Sequence, residues 1–141
     1  MGIPLCEEVK KLIDGPNFAH LATLMPDGSP HSAPVWIARE GDLVLVATAA
    51  GSLKGRNTGR DPRVSLSIID FNDPYTEVQM RGRVIERRPD PQLKYYDSLS
   101  RKYIGKPWPY RDEKAPIVLV IEIVKVKYDK QPFRHTPPSG P

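Results

Sequence analysis

The sequence predicts a small antiparallel β-barrel with short helices, and three observations lead to that fold class. The chain of 141 residues is of ordinary size for one domain. Its sixteen prolines and ten glycines require many turns and disfavour long helices. Six segments have strand-like patterns and are mostly joined by short turns, as in hairpins around one core. We therefore expect one domain over residues 1–129 and a proline-rich tail, 130–141, that does not pack without a partner.

The first half of the chain is predicted to form one helix and three strands. Apolar residues at helical spacing place the helix over residues 4–13, before a stop at Gly15. Asp-Gly at the centre of residues 25–30 is a strong hairpin signal. Pro34 donates no ladder hydrogen bond, so we expect an edge or a bulge there. The three strands are predicted at 18–24, 31–38 and 43–48.

The second half is predicted to alternate short helices with longer strands. Residues 53–59 can form a helical turn, and residues 90–105 are predicted to be a helix with Asp90 as N-cap and Gly105 as its end. Gly82 is expected to bend the long fifth strand. The last three strands are predicted at 63–70, 77–88 and 117–129.

Composition excludes several classes of site. The 21 basic and 17 acidic residues give a net charge of +4, which favours anionic ligands but is small for a DNA-binding protein. The single cysteine, Cys6, is expected to be buried or inert, and the three histidines have no ligand spacing, so no metal site is expected. No apolar run approaches twenty residues and no signal peptide opens the chain, which predicts a cytoplasmic protein without membrane contact.

The basic segment AAGSLKGRNTGRDPRVSLSI, residues 49–68, is the strongest candidate for a ligand site. Ser52 precedes a predicted helical turn, whose free amides and dipole favour an anion. Lys54 would add a point charge, while Arg56 and Arg60 would add guanidinium groups suited to phosphate or carboxylate. From the residues alone, the segment is either a phosphate cradle, a nucleic-acid patch or a solvated loop.

Three stretches resemble the split β-barrel flavin and deazaflavin oxidoreductases, the superfamily around pyridoxamine 5′-phosphate oxidase. They are LATLMPDGSPHSAPVWI, LVLVATAAGSLKGRNTGRDPRVSLSI and KYIGKPWPYR, and together they span nearly the whole chain. The resemblance implies a six-stranded antiparallel FMN-binding split barrel. It also implies a homodimer with the cofactor site at the interface.

The cofactor implied by this resemblance is coenzyme F420, an 8-hydroxy-5-deazaflavin with a phospholactyl group and a glutamate tail. The pattern K-x-R-N-x-x-R-D-P-R is similar to the F420-dependent branch. Thr48, Ser52 and Lys54 match the Thr…Ser-Arg-Lys run of FMN-dependent members, but Leu53 stands at the arginine position. The stretch APVWIA also lacks the charged residues of the FMN branch. FMN is therefore the alternative cofactor.

The resemblance also implies which residues hold the anionic part of the cofactor. Ser52, Lys54 and Asn57 would hold the phosphate. Arg56 or Arg60 would contact the phosphate or the tail carboxylates.

A second group of residues is implied to contact the ring system. Trp108 and Tyr110 would anchor the interface and cover the partner subunit's ring pocket. Arg63, by contrast, is expected to pair with Asp61 or Asp70 and to be structural. The residues implied to lie against or near the ring are Pro34, Val35, Trp36 and Thr48.

The implied activity is hydride transfer between reduced F420 and a small unsaturated acceptor, such as a quinone, an enone or a tetrapyrrole. The cofactor carries the reactive carbon, so no Ser-His-Asp or paired-carboxylate constellation is needed, and none is visible. His31 and Tyr110 are the candidates for a proton donor. The alternatives are an FMN flavoprotein of the oxidase type and a non-catalytic carrier of F420, flavin or haem. A nucleic-acid module is disfavoured because the charge is local.

Overall fold

A computed structural model describes residues 2–140, which form seven antiparallel strands and three short helices. The predicted mainly-β class is therefore confirmed. The strands follow the order β2-β1-β5-β6-β7-β4-β3 in one sheet. The helices are α1 (Glu7–Asp14), α2 (Leu53–Arg60) and α3 (Lys94–Ile104). The strands are β1 (Ala19–Leu24), β2 (Pro30–Val35), β3 (Ala38–Glu40), β4 (Leu43–Ala49), β5 (Arg63–Ile69), β6 (Thr76–Pro89) and β7 (Pro116–Lys130).

The two edges of the sheet are joined by only two residues, Trp36 and Ile37, which we call the seam. β2 pairs with β1 at one edge, and β3 pairs with β4 at the other. The prediction of a single strand over residues 31–38, and hence of six strands, was wrong because the chain changes its pairing partner at the seam. Pro34 lies in an edge strand, as expected.

Side chains of helix α3 form hydrogen bonds with the backbone at and beside the seam. The Lys102 ammonium donates hydrogen bonds to the carbonyl oxygens of Ile13 (2.5 Å) and Ile37 (2.6 Å). The Tyr103 hydroxyl donates to the carbonyl oxygen of Asn17 (2.6 Å) and accepts from the Ile37 amide (3.1 Å). Both backbone polar groups of Ile37 are thus satisfied by side chains of α3.

The main core lies between α1 and the inner face of the sheet. Val9 and Ile13 of α1 are fully buried, and so are Leu119 and Ile121 of β7. Residues 117–121 of β7 form a continuous apolar run because both faces of the strand are covered at this point. Val118 and Val120 form a second cluster with Leu45, against which Tyr95 of α3 packs.

Gly82 lies at a β-bulge, where the register between β6 and β7 shifts. A Cβ atom at this position would lie 2.2 Å from the Glu122 carbonyl oxygen. Only glycine allows the two backbones to approach so closely, and the expected bend at Gly82 is confirmed.

Helix α3 begins at Lys94 and not at residue 90 as predicted. Leu93 adopts a left-handed conformation (φ 59°), which a continuous helix does not allow. The Asp90 carboxylate nevertheless accepts hydrogen bonds from the Tyr95 and Tyr96 amides, so it caps the helix from outside. Gly105 ends the helix with φ 75°, as predicted.

Other predictions concern the termini and surface. Cys6 is exposed, so the prediction that it is buried was wrong. In the tail, Phe133 packs its ring edge-on against Tyr75 at a centroid distance of 4.6 Å. Across residues 2–140 no helix is long and apolar enough to cross a membrane, and no cluster of potential metal ligands is present.

Candidate functional site

A cavity of about 290 Å³ lies where the seam, β4, the N-terminus of α2 and the α3 region converge. The volume is near the lower end of the range found for small-molecule sites, roughly 300–1,000 Å³. Five of the residues predicted for the site line this cavity. They are the three ring-contacting residues Pro34, Val35 and Trp36, the cation Lys54, and Trp108 of the aromatic loop. The lining residues are Phe18, Pro34, Val35, Trp36, Ala47, Lys54, Tyr96, Leu99 and Trp108.

Aromatic rings form the rigid part of the cavity wall. Trp36 stacks on Tyr103, with centroids 5.1 Å apart and planes inclined by 4°. Trp108 meets Trp36 edge-on at 5.8 Å, and Phe18 packs against Tyr103 at 5.7 Å. Because Tyr103 is itself hydrogen-bonded at the seam, Trp36 is held in one orientation. The wall therefore offers a fixed apolar surface that suits a planar ring.

Trp108 reaches the cavity from the loop after α3, which polar contacts hold in place. The Asp97 carboxylate accepts from the Trp108 amide (2.9 Å) and from Arg111 (2.6 Å). The Glu113 carboxylate accepts from the indole Nε1 (3.0 Å). Trp108 thus lines the cavity of its own chain. Tyr110 packs against Trp108 at 5.2 Å but is 62% exposed and does not line the cavity.

Among residues 2–140, Lys54 is the only charged residue that lines the cavity. It lies in the first turn of α2, where the amides of Leu53 and Lys54 have no acceptor within the helix. Burial lowers the pKa of the Lys54 ammonium. Within residues 2–140 its side chain has no ion pair or hydrogen bond. A half-buried cation beside free amides, in an apolar cavity, is suited to an anionic group of a ligand.

Tyr96 contributes a second polar group to the cavity, a role that the sequence did not indicate. Its hydroxyl has no hydrogen-bond partner among residues 2–140, although the residue is only 7% exposed. Burial raises the pKa of this hydroxyl. It therefore stays protonated and can donate a hydrogen bond to a ligand.

The hydroxyl groups of Ser52 and Thr48 are engaged with the protein. Ser52 caps α2: its Oγ accepts from the Gly55 amide (3.0 Å) and donates to the Ala49 carbonyl oxygen (2.8 Å). Thr48 Oγ1 lies 2.7 Å from Ser52 Oγ. Because the single Ser52 hydroxyl hydrogen is directed to Ala49, Thr48 is the donor of this pair. Both residues therefore position the start of α2 on β4, and neither lines the cavity.

Asn57 and Arg60 attach α2 to the adjacent strand β1. The buried Asn57 amide donates to Thr23 Oγ1 (3.0 Å), and its carbonyl oxygen accepts from Arg60 (2.8 Å). Arg60 also donates to the Leu24 carbonyl oxygen (2.9 Å). Arg56 is exposed and has no side-chain partner within the described residues. The structure thus does not bring Asn57, Arg56 or Arg60 into the cavity lining.

Arg87 of β6 also holds α2, a role that the sequence did not reveal. Its guanidinium donates to the Gly55 carbonyl oxygen (2.8 Å) and to Thr58 Oγ1 (2.9 Å). Arg63 pairs with Asp61 at 2.8 Å, as predicted, and this hydrogen-bonded pair lowers the pKa of Asp61 to about 2.

The predicted proton donors lie away from the cavity. His31 is on β2 opposite Thr23, three positions before Pro34, and does not line the cavity. Tyr110 is separated from it by Trp108. In the part of the chain that the structure describes, Lys54 and Tyr96 are the ionisable lining groups.

Comparison with known proteins places this architecture in a family. Residues 5–129 match the family described as Pyridoxamine 5′-phosphate oxidase. The fold is similar to an F420 reductase from Mycobacterium smegmatis, with 30% identity and a TM-score of 0.79, over 89% of this chain and 98% of that one. A search of curated proteins gave no match.

Two more distant structures share the fold. One is a conserved hypothetical protein from Mycobacterium tuberculosis, with 22% identity and a TM-score of 0.73, over 99% of this chain and 94% of that one. The other is General Stress Protein 26 from Bacillus anthracis, with 20% identity and a TM-score of 0.67, over 87% and 92%. The chain therefore belongs to the pyridoxamine 5′-phosphate oxidase-like split-barrel family, whose members bind flavin or F420 cofactors.

Proposed function

We propose that the protein is an F420-dependent oxidoreductase that transfers a hydride between reduced F420 and a small unsaturated organic acceptor, such as a quinone, an enone or a tetrapyrrole. One observation carries the proposal: Lys54, half-buried and without a partner in residues 2–140, lies in a largely apolar, aromatic-walled cavity. A cofactor with a planar ring and an anionic side arm would satisfy both the wall and the cation.

The residues present fit such a cofactor. Pro34, Val35 and Trp36 would orient the ring, and Trp108 would exclude water from it. Lys54 and the first-turn amides of α2 would hold the phosphate. When bound, the cofactor supplies the reactive carbon from which the hydride leaves. The Tyr96 hydroxyl would donate a hydrogen bond to an oxygen of the ligand.

Two features favour F420 over FMN. Leu53 replaces the arginine of the FMN-type run, and β2 carries no lysine or arginine that could grip a phosphate. An FMN flavoprotein and a non-catalytic carrier are the alternatives that the experiment below separates. The homodimer implied by the resemblance is also part of the proposal, and light scattering of the purified protein tests it.

Lys54→Ala is expected to weaken F420 binding by roughly 10- to 100-fold, since hydrogen bonds to charged groups contribute about 1.5–3 kcal/mol. Fluorescence titration with F420, and in parallel with FMN, measures this. Lys106→Ala removes an exposed lysine outside the cavity and is expected to leave affinity unchanged. Tighter binding of FMN than of F420 by the unmodified protein would contradict the proposal, and F420 binding without turnover of any acceptor would indicate a carrier.

Affinity for the anionic cofactor is expected to fall as pH rises from neutral to alkaline. Burial lowers the pKa of Lys54, so the free protein loses this charge at a lower pH than an exposed lysine does. An anion favours the protonated ammonium, and binding therefore takes up a proton between the pKa values of the free and bound states. Calorimetric titration across this pH range should show the decline in cofactor affinity for the native protein and not for the Lys54→Met variant.

A further inference from the structure

Two residues of α3, Lys102 and Tyr103, lie behind the aromatic wall of the cavity. Tyr103 stacks on Trp36, with ring centroids 5.1 Å apart and planes inclined by 4°. The Lys102 ammonium lies 5.0 Å from the centroid of the Tyr103 ring, within the range of a cation–π contact. Neither residue lines the cavity. They therefore act on a ligand there through the residues that they hold.

Trp36 depends on such contacts because it lies in the seam, after the end of β2 and before the start of β3. A side chain within a paired strand is directed by the sheet, whereas a side chain in the seam is not. Within residues 2–140 the indole nitrogen of Trp36 has no hydrogen bond. The orientation of the ring is thus set by the Tyr103 stack and by Trp108, which meets Trp36 edge-on at 5.8 Å.

Lys102 and Tyr103 also hold the backbone beside Trp36. The Lys102 ammonium donates to the Ile37 carbonyl oxygen, and the Tyr103 hydroxyl accepts from the Ile37 amide. Both side chains also donate to backbone carbonyl groups at and just after the end of α1. The Ile37 amide shares a planar peptide unit with the Trp36 carbonyl group, so the bond to Tyr103 fixes the backbone of Trp36 as well.

The charge of Lys102 indicates a role beyond filling space. The ammonium is half-buried, and its two hydrogen bonds go to neutral carbonyl groups. Asp14, at the end of α1, is paired with Arg39 at 2.8 Å. Burial of a cation without a paired carboxylate costs free energy, so an apolar side chain would suit this position better if packing were its only role. An ammonium has three donors, which allows it to join two carbonyl groups.

We propose that Lys102 and Tyr103 are positioning residues for the bound cofactor: they fix the plane of Trp36, and Trp36 fixes the plane of the cofactor ring relative to the acceptor. This role rests on the proposed function. It separates the two sides of the site, because Lys54 of α2 supplies affinity for the anionic arm while α3 sets the orientation of the ring. The two sides should therefore differ in their kinetic effects.

Lys102→Met is expected to lower kcat for the oxidation of reduced F420 by menadione by about 10- to 100-fold, because a small displacement of a bound ring has a large effect on rate. The Kd for F420 should change by less than about threefold, since the contacts of Lys54 remain. Lys54→Ala should instead mainly raise the Kd. Lys106→Met makes the same chemical change at an exposed lysine just beyond α3 and should alter neither constant.

These measurements are best made at about pH 6.5, where Lys102 carries its charge. Burial lowers the pKa of the Lys102 ammonium to about 8, so the group is protonated in the native protein under this condition. The comparison with Lys102→Met then reports the loss of a charged donor.

A spectroscopic measurement tests the hold on Trp36 without any cofactor. The chain has two tryptophans, so Trp108→Phe leaves Trp36 as the single one. In this background, Lys102→Met is expected to add a fast component, on the order of 1 ns or less, to the fluorescence anisotropy decay of Trp36. Tyr103→Phe keeps the stacked ring but loses the hydroxyl contacts, and it is expected to show the same change to a smaller extent.

Two outcomes would overturn this role. An unchanged anisotropy decay in both Lys102→Met and Tyr103→Phe would mean that other contacts hold Trp36. A more mobile Trp36 with unchanged kcat would mean that its plane does not orient the ring. Absence of F420 binding by the native protein would refute the proposed function itself, and the anisotropy decay distinguishes that failure from a failure of α3 to hold Trp36. Urea denaturation shows whether each variant is folded, and Tyr103→Phe supplies both measurements if Lys102→Met does not fold.

Discussion

Replacement of Gly55 by alanine is expected to destabilise the protein by about 3 kcal/mol and to abolish cofactor binding, because it overpacks the start of α2. The new Cβ atom would lie 2.4 Å from the Ala49 carbonyl oxygen and 2.7 Å from that of Ala50. Both atoms belong to the backbone, so neither can move aside as a flexible side chain can. Helix α2 would have to shift away from β4, and Lys54 would leave the cavity with it.

Urea denaturation measures the loss of stability, and fluorescence titration measures the loss of binding. Gly51→Ala is a matched control in the same segment, because a Cβ atom there would meet nothing within 4 Å. It is expected to change stability by less than about 0.5 kcal/mol. If Gly55→Ala behaved like Gly51→Ala, close packing of α2 on β4 would not be what positions Lys54.

Replacement of Asn57 by alanine is expected to cost about 2–3 kcal/mol of folding stability, because buried hydrogen-bonding groups lose their partner. Asn57 is 1% exposed, and its amide links Thr23 of β1 to Arg60. The resemblance assigns this residue to the cofactor phosphate. If Asn57 binds the phosphate, its replacement should lower F420 affinity and leave folding stability unchanged. If Asn57 instead links α2 to β1, its replacement should lower folding stability.

A double-mutant cycle separates these roles. Thr23→Val removes the acceptor of the Asn57 amide, so the two substitutions should be non-additive by about 1 kcal/mol in unfolding free energy. Additive effects on stability, combined with a loss of F420 affinity in Asn57→Ala, would support the phosphate role instead. Urea denaturation of the four proteins in the cycle supplies the coupling energy.

Most strands could be predicted from sequence because their inward and outward residues alternate, as in β5 and β6. The seam could not, since Val35, Trp36, Ile37 and Ala38 show no break signal. The change of pairing partner there depends on strands that lie elsewhere in the chain. The start of α3 was misplaced for a related reason: Asp90 caps the helix, but from beyond a left-handed residue that no local pattern indicates.

A residue of the candidate site could be predicted from the sequence where its role follows from its own chemical type. Lys54 could be identified from the sequence as a cation in the first turn of a predicted helix, whereas the role of Trp36 beside the ring was implied only by the family resemblance. Tyr96, Tyr103 and Arg87 could not, because their roles depend on which neighbours folding brings to them. Asn57 and Arg60 stood in the same basic segment as Lys54, and only the structure shows that their polar atoms point to β1.

The seam has a consequence for how the molecule folds. β4 pairs with β7, so β4 is secured only when the last strand of the domain has been placed. Such non-local pairing is slow, so we expect β4 to join β7 late in folding. The cavity, which Ala47 of β4 helps to line, is expected to form at that stage. A ligand that binds there acts on the closed barrel alone, and it should slow hydrogen exchange in β7, far from its own contacts.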